Sequence, residues 1–247
     1  MRRSWTTHIA RTLTAASFIL AATGAAIAQQ APSSCGSLAS SFGPYDYRTA
    51  DAPTKHIVES NHFNSGVEAL IGGMTGALGG DIAYTLRVFP NHHRALISMM
   101  NLGLKLKVPM APGAGYSVEC FFTRAMRFKP DDAIVRMIYA KYLSSTGRRP
   151  EAIKELEIAS GLEKENGFTQ YNVGLFYLEM NEFDRALARA HAALSLGFDR
   201  PALKERLIAA NRWREPPASS ADPRAAAQAA SGSATSTAPD TAGSAAK

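Results

Sequence analysis

The sequence predicts an all-α protein built of stacked helix–turn–helix units. Three observations carry that expectation. Small and large apolar residues repeat at a spacing of 34 residues in the second half: Ala152 with Ala186, Ala159 with Ala193, Ala140 with Gly174, Leu143 with Tyr177. Val118 and Ala125 fall in step one unit earlier. Fixed periods of this length mark units that cannot bury their apolar face alone and so stack on their neighbours. Finally, Pro90 and Pro130 each close a helical stretch and precede a polar turn, where proline suits a helix exit.

The ends of the chain stand apart from this core. Arg2, Arg3 and Arg11 precede an apolar stretch from Leu13 to Ile27, and Ala26-Ile27-Ala28 precedes Gln29. A basic start, a short apolar stretch and small residues at a cut are the layout of a secretory signal peptide. The expectation is a signal segment over 1–28, cleaved after Ala28, and export to the periplasm. A membrane anchor would need roughly 20 strongly apolar residues, and Thr, Ser and Gly dilute this stretch. From Glu215 to Lys247 there is no aromatic and no large aliphatic residue. Such a composition buries too little apolar surface to offset its ordering entropy, so residues 215–247 are expected to form a disordered tail.

Charge excludes one class of function. The full chain carries +6, with 27 basic and 21 acidic residues. Without Arg2, Arg3 and Arg11 the balance falls to +3, and no basic run exceeds Arg148-Arg149. Nothing here supports nucleic-acid binding. No nucleophile motif, phosphate loop or zinc signature occurs, no cofactor is implied, and the chain is expected not to be an enzyme.

Along the core, Asp81 to Phe89 predicts a helix closed by Pro90. Gly66, Gly72, Gly73, Gly76, Gly79 and Gly80 argue against a long helix before it. Asn91 is expected to cap the next helix, from His93. Lys107 to Tyr116 is a Pro- and Gly-rich insertion, followed by a helix through Cys120 to Phe128. Asp131-Asp132 caps a helix carrying Tyr139, Ala140 and Leu143. Gly147 is the turn to a helix with Ala152, Leu156 and Ala159. The next pair carries Tyr171, Gly174 and Tyr177, then Ala186, Ala190 and Ala193, with Asn181 at the turn. Asn can adopt the left-handed conformation needed there. Pro201 to Asn211 predicts a closing helix with Leu203, Leu207 and Ile208 on its buried face.

The unit Gly167–Arg200, with Tyr171-Asn172-Val173-Gly174, Tyr177, Asn181-Glu182-Phe183-Asp184, Ala186, Ala190, Ala193 and Leu194, resembles the tetratricopeptide repeat. Ala133–Asn166 fits the same frame, and His93–Asp132 fits it with the insertion in its turn. Asn181 stands where that family usually has Gly, and Phe198 where it has Pro. The resemblance implies a right-handed superhelix of antiparallel helix pairs, three or four repeats in all, with the well-formed repeats and a capping helix over 93–214. Residues 29–92 form an N-terminal addition with a degenerate repeat.

That family binds peptides or partner proteins with the concave face lined by first helices. The matching positions here include Asn101, Ile134, Met137, Lys141, Phe168, Tyr171, Leu175 and Leu178. These either anchor an extended peptide or helix or pack in cis against the N-terminal segment or capping helix. Asn101 and Lys141 match two positions of the family's carboxylate clamp, but Ile97 and Met137 replace basic or polar ones, so that clamp is not expected. The implied function is a periplasmic scaffold binding a protein or peptide. The alternative is a metal-binding protein or enzyme of the envelope using His62, His92 and His93, near Glu59 and Asp81. A metal needs several such ligands converging, and no metal site is expected. Cys35 and Cys120 are the only cysteines. They either pair, as an oxidising compartment favours, or stay as separately buried thiols.

Overall fold

The computed structural model describes residues 35–216. The expected signal segment over 1–28 and, apart from Glu215 and Pro216, the expected tail over 215–247 lie outside the described residues. The described chain is all-helical, with no strand among the described residues: α1 (Ala52–His62), α2 (Ser65–Glu68), α3 (Leu78–Val88), α4 (His93–Leu106), α5 (Val118–Phe128), α6 (Ala133–Ser145), α7 (Arg149–Leu162), α8 (Gly167–Glu179), α9 (Phe183–Ser195) and α10 (Pro201–Ala209).

The helices beginning at Ala133 and Gly167, and those beginning at Arg149 and Phe183, stand at the 34-residue offset of the sequence. α6 packs on α7 and α8 on α9 as tight hairpins. Their turns need a residue at positive φ: Gly147 at +81° and Asn181 at +59°. Glycine carries no Cβ penalty there, and asparagine is among the few side chains that tolerate the region. Small residues sit at the helix crossings because larger ones would hold the backbones apart. Ala140, Ala152, Ala159, Gly174, Ala186 and Ala190 are all buried. A Cβ on Gly174 would come within 2.6 Å of Leu203 Cδ2 and 3.2 Å of Arg189 Cβ. Leu143, Leu156, Tyr177 and Val173 fill the remaining space. Each buried aliphatic side chain contributes on the order of 1.5–3 kcal/mol.

α10 closes this end against α8 and α9. Leu203 and Leu207, one turn apart, are buried. Ile208, expected on the same face, is 54% exposed. It is offset from Leu207 by one residue, about 100° around the helix, which carries it past the buried edge.

The N-terminal half is organised differently. α1 packs on α3, and α3 on α4. Asp51 caps α1 by accepting from Thr54 N, and Pro53 occupies the first turn. The glycine-rich stretch contains only the single-turn α2 and then an irregular loop wrapped around Asp81, a residue that begins no helix but lies inside α3. Its carboxylate accepts from Met74 N (2.6 Å), Thr75 N (3.1 Å) and Thr75 Oγ1 (2.6 Å). α3 starts at Leu78, three residues before the position the sequence predicts.

Asn91 does not cap α4. That role falls to His92, whose Nδ1 accepts from Ala95 N at 3.1 Å. Asn91 is drawn off by distant partners. Its Oδ1 accepts from Tyr47 N, and its Nδ2 donates to Asp46 (2.7 Å) and Asp132 (3.0 Å). Asp132, in turn, caps α6 through Val135 N.

Cys35 and Cys120 are joined by a disulfide. It ties the strap over residues 35–39 to α5. Arg124, buried beneath it, donates from Nη1 to the carbonyls of Cys35 (2.8 Å) and Ser37 (2.7 Å), and its guanidinium lies 4.7 Å from the Tyr116 ring. Desolvation lowers the Arg124 pKa from its ordinary value.

Candidate functional site

The surface built by α4, α6 and α8 is the first candidate. α4 packs on α6 and α6 on α8 in succession. The eight groove positions named from the sequence divide into three kinds. Asn101 on α4 is exposed, as is Phe168 on α8, at 49%. Ile134, Lys141, Tyr171 and Leu175 are half-buried, and the three apolar ones lean on the core. Met137 and Leu178 are buried, at 4% and 8% exposure, within the core cluster. They hold helices together and present little surface to a partner.

Aromatic packing sets the C-terminal end of this surface. Phe168 meets Phe198 edge-on at 5.9 Å, and Tyr171 lies 5.3 Å from the same ring. Phe198 thus supports two aromatic side chains at once. Lys141 Nζ contacts Glu179 Oε2 at 2.5 Å, bridging α6 and α8. Both partners are well exposed, so the pair is worth little to stability and its charges remain open to competition. At the other end Arg94 is engaged by Glu68 and lies 5.9 Å from the Phe63 ring. Ile97, one turn on, is 40% exposed.

Local spacing did not point to the cleft at the C-terminal ends of α4 and α6. Gly103, Leu104, Lys107, Val108, Pro109, Tyr142, Ser145 and Thr146 line about 410 Å³ there. Five of these eight residues belong to the end of α4 and the insertion after it. Lys107 takes φ of +56° and turns the chain away from α4. The signal available in the sequence was Lys107-Val108-Pro109 itself, an apolar pair in a loop that had no need of one.

The three histidines of the alternative reading do not share a carboxylate. His62 Nδ1 lies 3.0 Å from Asp81, His92 Nε2 lies 3.1 Å from Glu59, and His93 Nε2 lies 2.9 Å from Asp132. Among the described residues, no three His, Cys, Asp or Glu side chains are grouped to hold a metal ion.

Each pair has its own job. His92 is fully buried, and burial is the main cause of its pKa falling to about 4. Its Nδ1 accepts a backbone N–H, so Nε2 carries the proton and donates to Glu59. The imidazole is neutral, so the contact is a hydrogen bond and not an ion pair. Glu59 also accepts from Tyr47 Oη at 2.7 Å. Burial and this bond push the Tyr47 phenol up to about 12. Burial opposes ionisation of Asp81, but hydrogen bonds from Thr75, His62 and the loop backbone outweigh it and hold the pKa at about 2. Asp132 is lowered in the same way: burial raises it, and bonds from His93 and Asn91 more than compensate. These are structural joints whose donors and acceptors are spent on one another.

The chain matches no protein-family model, no curated protein and no solved structure. Among the described residues, no helix is long and apolar enough to cross a membrane.

Proposed function

We propose that this chain is an exported, periplasmic interaction scaffold of tetratricopeptide-like repeats, which binds a peptide or partner protein along the face of its first helices. The observation that carries the reading is the succession of α4, α6 and α8. These helices carry Ile97 and Phe168 exposed and Ile134, Tyr171 and Leu175 half-buried, in an otherwise well-packed array. Aromatic and aliphatic side chains held firmly at their base are good anchors, because little side-chain entropy remains to be lost on binding. The cleft beside Leu104 and Tyr142 would extend that surface at its far end. Export agrees with the Cys35–Cys120 disulfide, since such bonds persist in oxidising compartments.

The test is capture of a partner from envelope extract by the full chain, followed by affinity measurement with variants. Phe168→Ala should weaken binding by on the order of 2 kcal/mol, about thirtyfold. Lys141→Glu should also weaken it, and Leu175→Ser should do so with some cost in packing. Circular dichroism and melting must be recorded for each variant beside the binding curve. If Phe168→Ala and Lys141→Glu are folded and bind like wild type, this face is not where the partner sits.

A further inference from the structure

A second cleft lies on different helices. It opens between α7 and α9, the second members of the two best-formed hairpins, and its volume is about 370 Å³. Glu157, Ser160 and Gly161 of α7, Lys164 beyond it, and Arg185, Ala188 and Arg189 of α9 form the walls, and Tyr177 of α8 completes the lining. Three cations therefore face one carboxylate. The size suits a small organic molecule.

The cations are not equivalent. Arg185 is engaged by Glu157 and lies 3.6 Å from Glu182. Arg189 has no carboxylate partner among the described residues. It is held instead by neutral acceptors, with Nη1 donating to Ser160 Oγ (2.6 Å) and Gln170 Oε1 (2.9 Å). Both acceptors belong to buried residues. Gln170 cannot turn its amide around, because Nε2 donates to the carbonyls of Ser160 and Glu163, each at 3.0 Å. The Ser160 hydroxyl in turn donates to Gln170 Oε1 at 2.8 Å. Arg189 is thus anchored along one edge by a fixed polar cluster, and its charge is left uncompensated towards the cleft. A guanidinium so placed presents its remaining N–H groups to an oxyanion without further ordering.

Gly161 keeps the space open. A Cβ built on it meets nothing within 4 Å, so packing does not demand glycine at this helical position. Any other residue except proline would raise helix propensity and project into the cleft.

We propose that this cleft binds a phosphate group, either free or as the monoester of a small molecule. Two uncompensated positive charges in the lining match a dianion better than a single carboxylate. Arg189 supplies the fixed contact and Lys164 a mobile one, while the exposed Ala188 offers apolar surface to whatever the phosphate is attached to. The site is independent of the partner face on α4, α6 and α8, and either can fail without the other.

The experiment is calorimetric titration of the full chain with inorganic phosphate, with glycerol phosphate and with acetate, at constant ionic strength set by chloride. Phosphate or glycerol phosphate should bind saturably and acetate far more weakly. Tighter binding of glycerol phosphate identifies a monoester as the ligand, and equal binding identifies the free ion. Arg189→Gln should weaken binding about tenfold or more, the size expected for losing a charged hydrogen bond. Gly161→Leu should abolish binding while melting stays at or above the wild-type temperature, which separates a blocked cleft from a damaged fold. The proposal is overturned if neither phosphate ligand binds, if acetate binds as well as phosphate, or if Gly161→Leu and Arg189→Gln bind like wild type.

Discussion

At the scale of single residues, His92 shows how a side chain takes a role by elimination. Asn is a stronger cap former than His, and the local sequence therefore favours Asn91. That preference loses because Asp46 and Asp132, far away in sequence, compete for the Asn91 amide. A propensity argument sees only neighbours along the chain, so this exchange was not legible. The consequence can be measured. The unfolded His92 titrates near 6.5, and the folded one near 4. Its contribution is present in full above pH 6.5 and is lost as pH falls through about 4, because the unfolded chain takes up the proton first. The loss is on the order of 3 kcal/mol. Urea unfolding between pH 7 and pH 4 should therefore show a steeper fall in wild type than in His92→Asn, which keeps a capping acceptor and cannot titrate. Parallel curves would show that another group controls this range. The groove residues were less legible than the fold for a related reason. Spacing along a helix tells which positions share a stripe, but whether Met137 and Leu178 face a partner or a neighbouring helix depends on how far apart the helices stand.

At the scale of elements, the two C-terminal hairpins were readable because every local signal agrees with the tertiary one: period, small residues at the crossings, and a turn residue able to reach positive φ. The N-terminal helices were not. The register of the repeats offered no place for α1, although Asp51 and Pro53 are a standard start signal. The run of glycines was informative in a way that counting them did not reveal. Gly79 lies against the insertion after α4, and a Cβ there would stand 2.4 Å from Pro112 O. Backbone cannot move aside as a side-chain tip can. Gly79→Ala should thus destabilise the protein by about 1–3 kcal/mol, despite the better helix propensity of alanine, and hydrogen exchange should quicken in α3 and in residues 107–117. Unchanged stability would mean that the insertion adapts freely. At the opposite extreme, Leu156→Ala removes a side chain with no exposure at the centre of a hairpin. It should cost about 2–5 kcal/mol with no change in helical content below the transition.

For the molecule as a whole, two kinds of cohesion meet. From α6 onward the array is held by apolar contacts between neighbours. Before α6 the apolar core, with Leu86, Leu96, Phe121 and Phe122, is supplemented by links that span long stretches of chain: Asn91 joining Asp46 to Asp132, and the disulfide joining residues 85 apart in sequence. In the chain-entropy description, closing a loop of that length contributes about 3–5 kcal/mol. The double variant Cys35→Ser, Cys120→Ser should lower the urea midpoint accordingly, and the strap over 35–39 should become the first segment cut by a protease. No change in midpoint would mean that Arg124 and Arg127 secure the strap without it. The contrast between the two halves also bears on how such an array can lengthen. Repeat proteins gain units by duplication, and a new unit must find a surface like the one it was copied from. Behind α9 that surface exists and is covered by Leu203 and Leu207 of α10 and by Arg212 and Trp213 after it, which could be displaced to the new end. Ahead of α4 it does not, because the polar joint at Asn91 and the strapped α5 fit one particular N-terminal segment. Growth of this fold is therefore open in one direction and closed in the other.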